Sequence, residues 1–192
     1  MEDNVFFFLE DERIGLRRLE EEDVSGGYCT WLNDKTACQY NSHHRFPVSK
    51  RSLLDYVHEV GDSTDTIVFA IIDKEDNTHI GNISLQQIDL IDRSAEIAFL
   101  IGAYDKWGKG YATAAGRLLI DHAFRAIGLH RVFFGTSERN TGMQKVGEKL
   151  GFVKAGTYRD AIYKDGRYWD VFFYDLLDSD WKGGESCEGS HK

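Results

Sequence analysis

Two glycines, Gly108 and Gly110, stand directly before a pattern that is typical of an amphipathic helix. Apolar residues recur at three- to four-residue spacing from Leu118 to Ile127, which predicts a helix with one buried face. A glycine loop that runs straight into a helix leaves free backbone N–H groups at the positive end of the helix dipole, with no Cβ in the way. The chemistry that this arrangement predicts is the binding of a phosphate or pyrophosphate group.

Three classes of phosphate ligand are bound by glycine loops of this kind. A P-loop for nucleoside triphosphates needs Gly-Lys-Ser or Gly-Lys-Thr, whereas Gly110 is followed by Tyr111. A dinucleotide fingerprint needs a further glycine or alanine where Thr113 stands, and it opens a series of βαβ units rather than following antiparallel hairpins. The third class is the pyrophosphate of coenzyme A, for which Gly108 and Gly110 alone are a weak signal.

A segment further along the chain favours coenzyme A. Asn140 precedes a helical pattern that ends in the run Glu-Lys-Leu-Gly-Phe at residues 148–152. Together with the run Trp-Gly-Lys-Gly-Tyr-Ala-Thr-Ala-Ala at residues 107–115, this segment resembles the acyl-CoA signatures of the Gcn5-related N-acetyltransferase (GNAT) superfamily. The resemblance covers roughly residues 12–178 and is to the RimJ/RimL-like branch, the type that acetylates the N-termini of ribosomal proteins.

This resemblance implies a fold and a cosubstrate. The implied fold is α/β (α+β), a mixed, mostly antiparallel central sheet of about seven strands with helices on both faces and a splayed parallel strand pair. Acetyl-CoA is the implied cosubstrate, with its pantetheine arm in the splay, and no metal is implied. The residues implied to bind it are Phe99, Leu100, Ile101, Trp107, Gly108, Lys109, Gly110, Tyr111, Ala112, Thr113 and Asn140. A plain helix cap is the alternative role for Asn140.

The implied reaction transfers an acetyl group from the thioester to a primary amine. The amine must be neutral to attack, so a general base is expected. Glu96 is the candidate base, because it lies on the strand that leads to the coenzyme; a cross-strand salt bridge or a solvent-facing position is the alternative. Many relatives carry a tyrosine immediately before the Glu-Lys-Leu-Gly-Phe run as general acid, but this chain has Gly147. That difference is the main support for the alternative function, a non-catalytic acyl-CoA-binding or regulatory module.

The sequence indicates less about the residues that bind the acceptor amine. Tyr28, Trp31 and Arg45 are the candidate substrate-binding residues, with core packing as the alternative for the two aromatic side chains. The acceptor is either a protein N-terminal amine or a small-molecule amine such as an amino sugar. A protein acceptor needs an open cleft, whereas a nucleotide-linked sugar needs a closed pocket with an anion-binding group such as Arg45.

The elements that position these residues follow from periodicity and helix signals. Strands are expected at residues 94–102 and 131–136, the second buried on both faces, and one crossover helix between them makes them parallel neighbours. Acidic residues at positions 20–23 indicate the start of a helix that continues through Leu32. Ser49 is expected to cap a helix over residues 50–60, and Gly81 indicates a β-bulge within a strand.

Composition limits the partners and the compartment. The 192 residues carry a net charge of -9 and are 42% hydrophobic, so we expect a packed domain and no nucleic-acid surface. The odd set of Cys29, Cys38 and Cys187 lacks metal-site spacing and is expected to be reduced. Without a signal-peptide or membrane-span pattern, the expected location is the cytoplasm, as a monomer or homodimer. A single domain is expected over residues 1–182, followed by a disordered tail at 183–192.

Overall fold

A computed structural model of the chain describes residues 6–183 and contains one eight-stranded mixed sheet. The strands are β1 (Leu9–Glu10), β2 (Ile14–Arg18), β3 (Ile67–Asp73), β4 (Thr78–Asp89), β5 (Ser94–Ile101), β6 (Arg131–Ser137), β7 (Val153–Lys164) and β8 (Arg167–Leu177). The α-helices are α1 (Glu21–Ser25), α2 (Tyr28–Leu32), α3 (Lys50–Asp62), α4 (Tyr111–His122) and α5 (Thr141–Leu150). Residues 184–192, which are nine residues of the expected tail and include Cys187, lie outside the described range.

The strand order is β1-β2-β3-β4-β5-β6-β8-β7, and only β5 and β6 are parallel. This confirms the predicted fold class and the single parallel pair. The sheet has one strand more than expected, because the two-residue β1 pairs with β2. Between residues 6 and 183, no helix has the length and apolarity needed to cross a membrane.

The two faces of the sheet carry separate cores. On one face α4 and α5 pack against residues from β2 to β8, including the fully buried Ile71, Ile97 and Val132. On the other face α1, α2 and α3 pack against β2 and β3, around Leu53 and Ala70. The second helical layer reaches the end of β5 through Leu100, and the same face of β6–β8 lies beyond it. This arrangement places the parallel strand pair at the edge of the second layer.

A bulge brings β4 and β5 close together. The β3–β4 register shifts where Ile71 faces Gly81 and Ile72 faces His79, which leaves Ile80 as the additional residue. This confirms the bulge predicted near Gly81. A Cβ at Gly81 would lie 2.2 Å from the carbonyl oxygen of Leu100, so only glycine permits the approach.

The helix expected to continue through Leu32 is instead two short helices, so that prediction was wrong. Helix α1 ends after Ser25, and α2 begins at Tyr28. The break falls at Gly26 and Gly27, which lower helix propensity. At Gly27 a Cβ would approach the indole of Trp31 to 2.7 Å, so the turn also makes room for that ring.

Strand β6 is not buried on both faces as expected. Val132, Phe134 and Thr136 point towards α4 and α5 and are buried, whereas Gly135 on the opposite face is exposed. The helices α1–α3 do not extend over this part of the sheet, which is why the second face stays open. The apolar sequence of β6 does not by itself show that one face is covered and the other is open.

Candidate active site

The parallel strands β5 and β6 part from each other after three residue pairs. Ser94, Ala95 and Glu96 are paired with residues 131–133, and the ladder ends there. The remainder of β5, from Ile97 to Ile101, pairs only with β4. In the described chain, the edge of β5 that faces β6 therefore has no strand partner over Phe99, Leu100 and Ile101, and the Ile101 carbonyl accepts only from a side chain. An extended, polar arm of a ligand can hydrogen-bond to this edge as an additional strand would.

The glycine loop lies directly after the open edge of β5. Gly108 and Gly110 have φ values of +72° and +88°, which non-glycine residues adopt at a cost. Gly110 is the N-cap of α4. The backbone N–H groups of residues 108–113 donate to no acceptor within residues 6–183. Six free amides at a helix N-terminus fit a pyrophosphate group.

Trp107 connects this loop to the open strand. Its indole Nε1 donates to the carbonyl oxygen of Ile101 over 2.7 Å. On the other side of the strand end, Gly102 lies under the indole ring of Trp31, where a Cβ would come within 1.9 Å of that ring. The end of β5 is thus fixed between the loop and α2.

A buried ionic cluster holds the first residue of α4. The Asp73 carboxylate at the end of β3 accepts hydrogen bonds of 2.6 Å from the Lys106 ammonium and from the Tyr111 hydroxyl. Burial opposes ionisation of Asp73, but these two donors outweigh it and lower the pKa to about 2. The Arg13 guanidinium stacks on the Tyr111 ring at 4.7 Å and donates to the carbonyl oxygen of Lys109 over 3.1 Å. The sequence analysis did not identify this cluster.

Replacement of Asp73 by asparagine should loosen the loop. The substitution leaves the Lys106 ammonium and Tyr111 hydroxyl without their charged acceptor, so we expect Tm to fall by roughly 3–8 °C. We also expect weaker binding of acetyl-CoA, measured by isothermal titration calorimetry. In the native chain, the stabilisation that Asp73 provides is present above its ordinary pKa and is lost as pH falls towards about 2.

A matched control is Asp76→Asn in the following turn. Asp76 is exposed and lies 3.3 Å from Lys106, so it shares the same partner from a solvated position. We expect a much smaller change in Tm for this variant. Equal effects of the two substitutions would show that the buried carboxylate has no special part in holding the loop.

Asn140 is the N-cap of α5, which is the alternative role that the sequence indicated for it. Its Oδ1 accepts a 3.1 Å hydrogen bond from the backbone N–H of Met143. The Nδ2 group donates to no acceptor in the described part of the chain. Asn140 follows the end of β6 by only three residues. A coenzyme contact through Nδ2 is thus compatible with the cap, and this role stays a prediction.

Glu96 is the last residue of β5 that pairs with β6. It is half-buried, and the pKa of its carboxyl is raised because burial disfavours the charged form. Side chains alternate along the strand, so Glu96 shares a face with Ala98 and Leu100, opposite the face that packs on α4. Leu100 contacts the core of α1–α3. The carboxylate therefore lies on the acceptor-side face, at the point where the strands part.

A line of polar side chains on β4 runs beside Glu96. Asn82, Ser84 and Gln86 face Leu100, Ala98 and Glu96 across the β4–β5 ladder. Asn82 and Ser84 are buried, and Gln86 Nε2 donates to the Ser84 hydroxyl over 2.9 Å. The Asn82 Nδ2 is buried without a partner. The alternation of these residues with Ile83 and Leu85 was the available signal, and the sequence analysis did not use it.

Tyr28 and Trp31, two of the candidate substrate residues, occupy different environments. Tyr28 is 6% exposed and belongs to the core of α1–α3, and burial raises the pKa of its hydroxyl. Trp31 is half-buried and packs edge-on against His79 at 5.0 Å. Beneath them, Arg17 makes two hydrogen bonds of 2.7 and 2.8 Å to the buried Asp23. The packing role is clear for Tyr28, while substrate contact by Trp31 stays a prediction.

The α2–α3 loop is fastened to the β7–β8 hairpin. The Lys164 ammonium donates to the carbonyl oxygens of Cys38 and Asn41. Arg45, the third candidate substrate residue, is exposed, and its Nη2 lies 3.4 Å from the carbonyl oxygen of Tyr163. These contacts connect the loop to the end of β7.

Gly147 lies against the ring of Phe134. A Cβ at this position would lie 2.6 Å from Cζ of Phe134. That ring is 2% exposed and stacks on Tyr174 at a centroid distance of 4.9 Å. The position at which relatives carry a tyrosine is therefore filled by the core.

Comparisons with known proteins agree with this geometry. Residues 13–153 match the acetyltransferase (GNAT) domain family. The uncharacterized N-acetyltransferase p20 of Bacillus licheniformis is 32% identical over 91% of this chain and 98% of its own length. YdaF of Bacillus subtilis, a candidate ribosomal N-acetyltransferase, is 39% identical over 56% of this chain and 58% of its own. A Vibrio cholerae spermidine N-acetyltransferase, crystallised with CoA and spermine, superposes with a TM-score of 0.81 at 25% identity, covering 88% of this chain and 98% of that one.

Proposed function

The chain belongs to the GNAT acetyltransferase family and is an N-acetyltransferase, and we propose that it moves an acetyl group from acetyl-CoA to a primary amine by direct attack, with both substrates bound together. The observation that carries this proposal is the open edge of β5, which leads directly into the free amides of residues 108–113. An arm that pairs with a strand and ends in a pyrophosphate fits such a site.

Each part of the site has a proposed task towards the coenzyme. Acetyl-CoA supplies the acetyl thioester when bound. The edge of Phe99, Leu100 and Ile101 orients the pantetheine arm, and a backbone N–H there is placed to stabilise negative charge on the acetyl oxygen. The amides of residues 108–113 hold the pyrophosphate, and Asn140 Nδ2 gives a further contact near the end of β6. The ionic cluster of Asp73, Lys106 and Tyr111 keeps these amides aligned.

Glu96 is the proposed general base. It lies where β5 and β6 part, on the face towards the acceptor side. Its raised pKa makes the carboxylate a stronger base than an ordinary glutamate. The buried hydroxyl of Ser84 and the half-buried amide of Gln86 lie on the neighbouring strand and can pass the proton on through water. The residue thus receives the proton of the attacking amine.

The departing thiolate does not require a tyrosine. An alkyl thiol has a pKa of about 8.5, so its anion is a good leaving group near neutral pH. Solvent can protonate it in the open splay. Gly147 is therefore compatible with catalysis, which separates this proposal from the alternative of a non-catalytic coenzyme-binding module.

We propose a small-molecule amine as acceptor rather than a protein N-terminus. The support is that Lys164 and Arg45 connect the α2–α3 loop to the β7–β8 hairpin, because an extended chain end needs an open cleft between such segments. The assignment to the RimJ/RimL-like branch, the cytoplasmic location and the monomeric or dimeric state stay predictions.

Thiol release tests the function directly. The purified protein is mixed with acetyl-CoA and a panel of primary amines that includes a peptide with a free N-terminus, and free thiol is measured with a chromogenic disulfide. We expect release that depends on amine and on protein. The same titration without amine measures hydrolysis as a control. Tight binding of acetyl-CoA with no release for any amine would favour the non-catalytic module.

A further inference from the structure

A small cavity lies between the α2–α3 loop and the β7–β8 hairpin. Its walls include Gln39, Tyr40, Ser137, Arg139, Lys164 and Trp169. Ser137 is the last residue of β6, so the cavity opens where the strand pair has parted. Gln39 and Tyr40 follow α2, whose Trp31 covers the end of β5. The cavity therefore lies at the carboxyl end of β6, beside the segment that follows α2.

Positive charge is concentrated around this cavity in a protein of net charge -9. Lys35 and Arg139 approach the same carboxylate, that of Asp165, to 4.0 and 3.8 Å. Arg45 and Lys35 are also close enough to the Lys164 ammonium to lower its pKa, although burial is the larger cause. Four cationic side chains thus lie close together, and two of them approach the carboxylate of Asp165, which also lines the cavity.

Arg167, which contacts the Trp169 ring of the cavity wall, is a fifth cationic side chain. Trp169 is flanked by two guanidinium groups, with Arg139 at 4.4 Å and Arg167 at 3.7 Å from the ring centroid. Its indole Nε1 donates to the carbonyl oxygen of Lys164 over 3.1 Å. Cation–π contact with Trp169 positions both guanidinium groups, and Arg139 also approaches the Asp165 carboxylate. Their remaining N–H donors are available to a ligand.

The other nearby carboxylates are already engaged by backbone amides. Glu138 Oε1 accepts from the N–H of Asp170 over 3.2 Å. The Asp170 carboxylate accepts from the N–H of Asp160 over 3.0 Å. Both carboxylates keep their negative charge, so together with Asp165 they offset part of the positive charge of the five cationic side chains.

We propose that the acceptor amine carries an anionic group, a carboxylate or a phosphate, which binds beside Arg139 and Lys164. This inference rests on the proposed transfer to an amine and names the class of acceptor. The amino end of such a molecule reaches towards Glu96, while the anionic end is held at the cavity. Charge-assisted hydrogen bonds to a guanidinium are strong and directional, so they position the amine as well as bind it. A polycation without an anionic group is repelled at the same place.

The test compares matched amines that differ in charge. The pairs are glucosamine with glucosamine 6-phosphate, and 4-aminobutanol with 4-aminobutyrate, with spermidine as the cationic arm. We expect the anionic member of at least one pair to have a kcat/KM about 10- to 100-fold higher, mainly through KM. The pair that responds distinguishes phosphate from carboxylate. Added salt should reduce the preference.

Variants assign the preference to the cavity. Arg139→Gln should reduce the ratio of anionic to neutral kcat/KM about 10-fold, and Arg139→Lys should restore part of it. Lys149→Gln, at the opposite end of α5 from Asn140, removes an exposed charge as the matched control. Thermal melts establish that each variant is folded.

The results distinguish the proposal of an anionic acceptor from the proposal of acetyl transfer to an amine. Thiol release that is equal for anionic and neutral amines, or highest with spermidine, overturns the anionic acceptor and leaves the transferase intact. A preference that Arg139→Gln does not change also overturns it. No release with any amine, despite binding of acetyl-CoA, contradicts the transfer function on which the inference rests.

Discussion

Replacement of Glu96 by glutamine should lower kcat for acetyl transfer by about 100-fold or more, because a general base contributes roughly 10²–10⁴-fold. Glutamine has the same size and can keep the weak contact of 3.5 Å with Gln87. Binding of acetyl-CoA should be unchanged, since the carboxylate lies on the face away from α4. Stopped-flow or steady-state thiol release, together with calorimetric titration of the coenzyme, measures both quantities.

The pH profile of the native enzyme gives a second signature of Glu96. A base works only when it is deprotonated, so the rate should fall as pH drops through the pKa of the carboxyl. Because burial raises that pKa, the acidic limb should lie at higher pH than for an ordinary glutamate. In Glu96→Gln this limb should disappear.

The control for Glu96→Gln is Asp92→Asn, which removes a negative charge from an exposed position in the β4–β5 turn. We expect it to keep the rate and the pH profile of the parent. If Glu96→Gln also keeps both, Glu96 is not the base, and a water held by Ser84 and Gln86 becomes the alternative.

Local signals in the sequence predicted the helix starts on the cofactor side. Gly110 and Asn140 mark the helix starts that the sequence predicts, and Ser49 caps α3 through a 3.0 Å hydrogen bond from Ser52. Helix caps and left-handed glycines depend on neighbouring residues alone, so a sequence pattern can indicate them. The pattern also predicted that Glu96 lies on the strand before the glycine loop, and the structure adds that β5 and β6 part at this residue.

Contacts between distant segments could not be predicted in this way. Asp73 precedes Lys106 by 33 residues and Tyr111 by 38, and no local pattern pairs them. The alternation of Asn82 and Ser84 with apolar residues ordinarily indicates a solvent-facing side of a strand. Here both side chains are buried. Whether a polar face is exposed depends on how far the neighbouring helices extend, which is a property of the whole fold.

Introducing the tyrosine of the relatives, Gly147→Tyr, should destabilise the protein rather than improve catalysis. The new Cβ would lie 2.6 Å from Phe134, whose ring stacks on Tyr174 and meets Phe152 edge-on at 5.0 Å. Because these rings are buried and cannot move aside, we expect Tm to fall by about 5–10 °C. The gain in helix propensity over glycine offsets only a small part of this loss. Differential scanning calorimetry measures the change.

The double variant Phe134→Ala/Gly147→Tyr tests the cause. Removing the ring vacates the space that the tyrosine needs, so the double variant should be less destabilised than the sum of the two single variants. Lys149→Tyr, on the exposed surface of α5, is the control for adding a tyrosine to this helix. If Gly147→Tyr melts like the parent and releases thiol faster, the core does not exclude the tyrosine, and general acid catalysis limits the native enzyme. If only the double variant folds well and is still no faster, protonation of the thiolate is not limiting, and the glycine is set by the packing of Phe134.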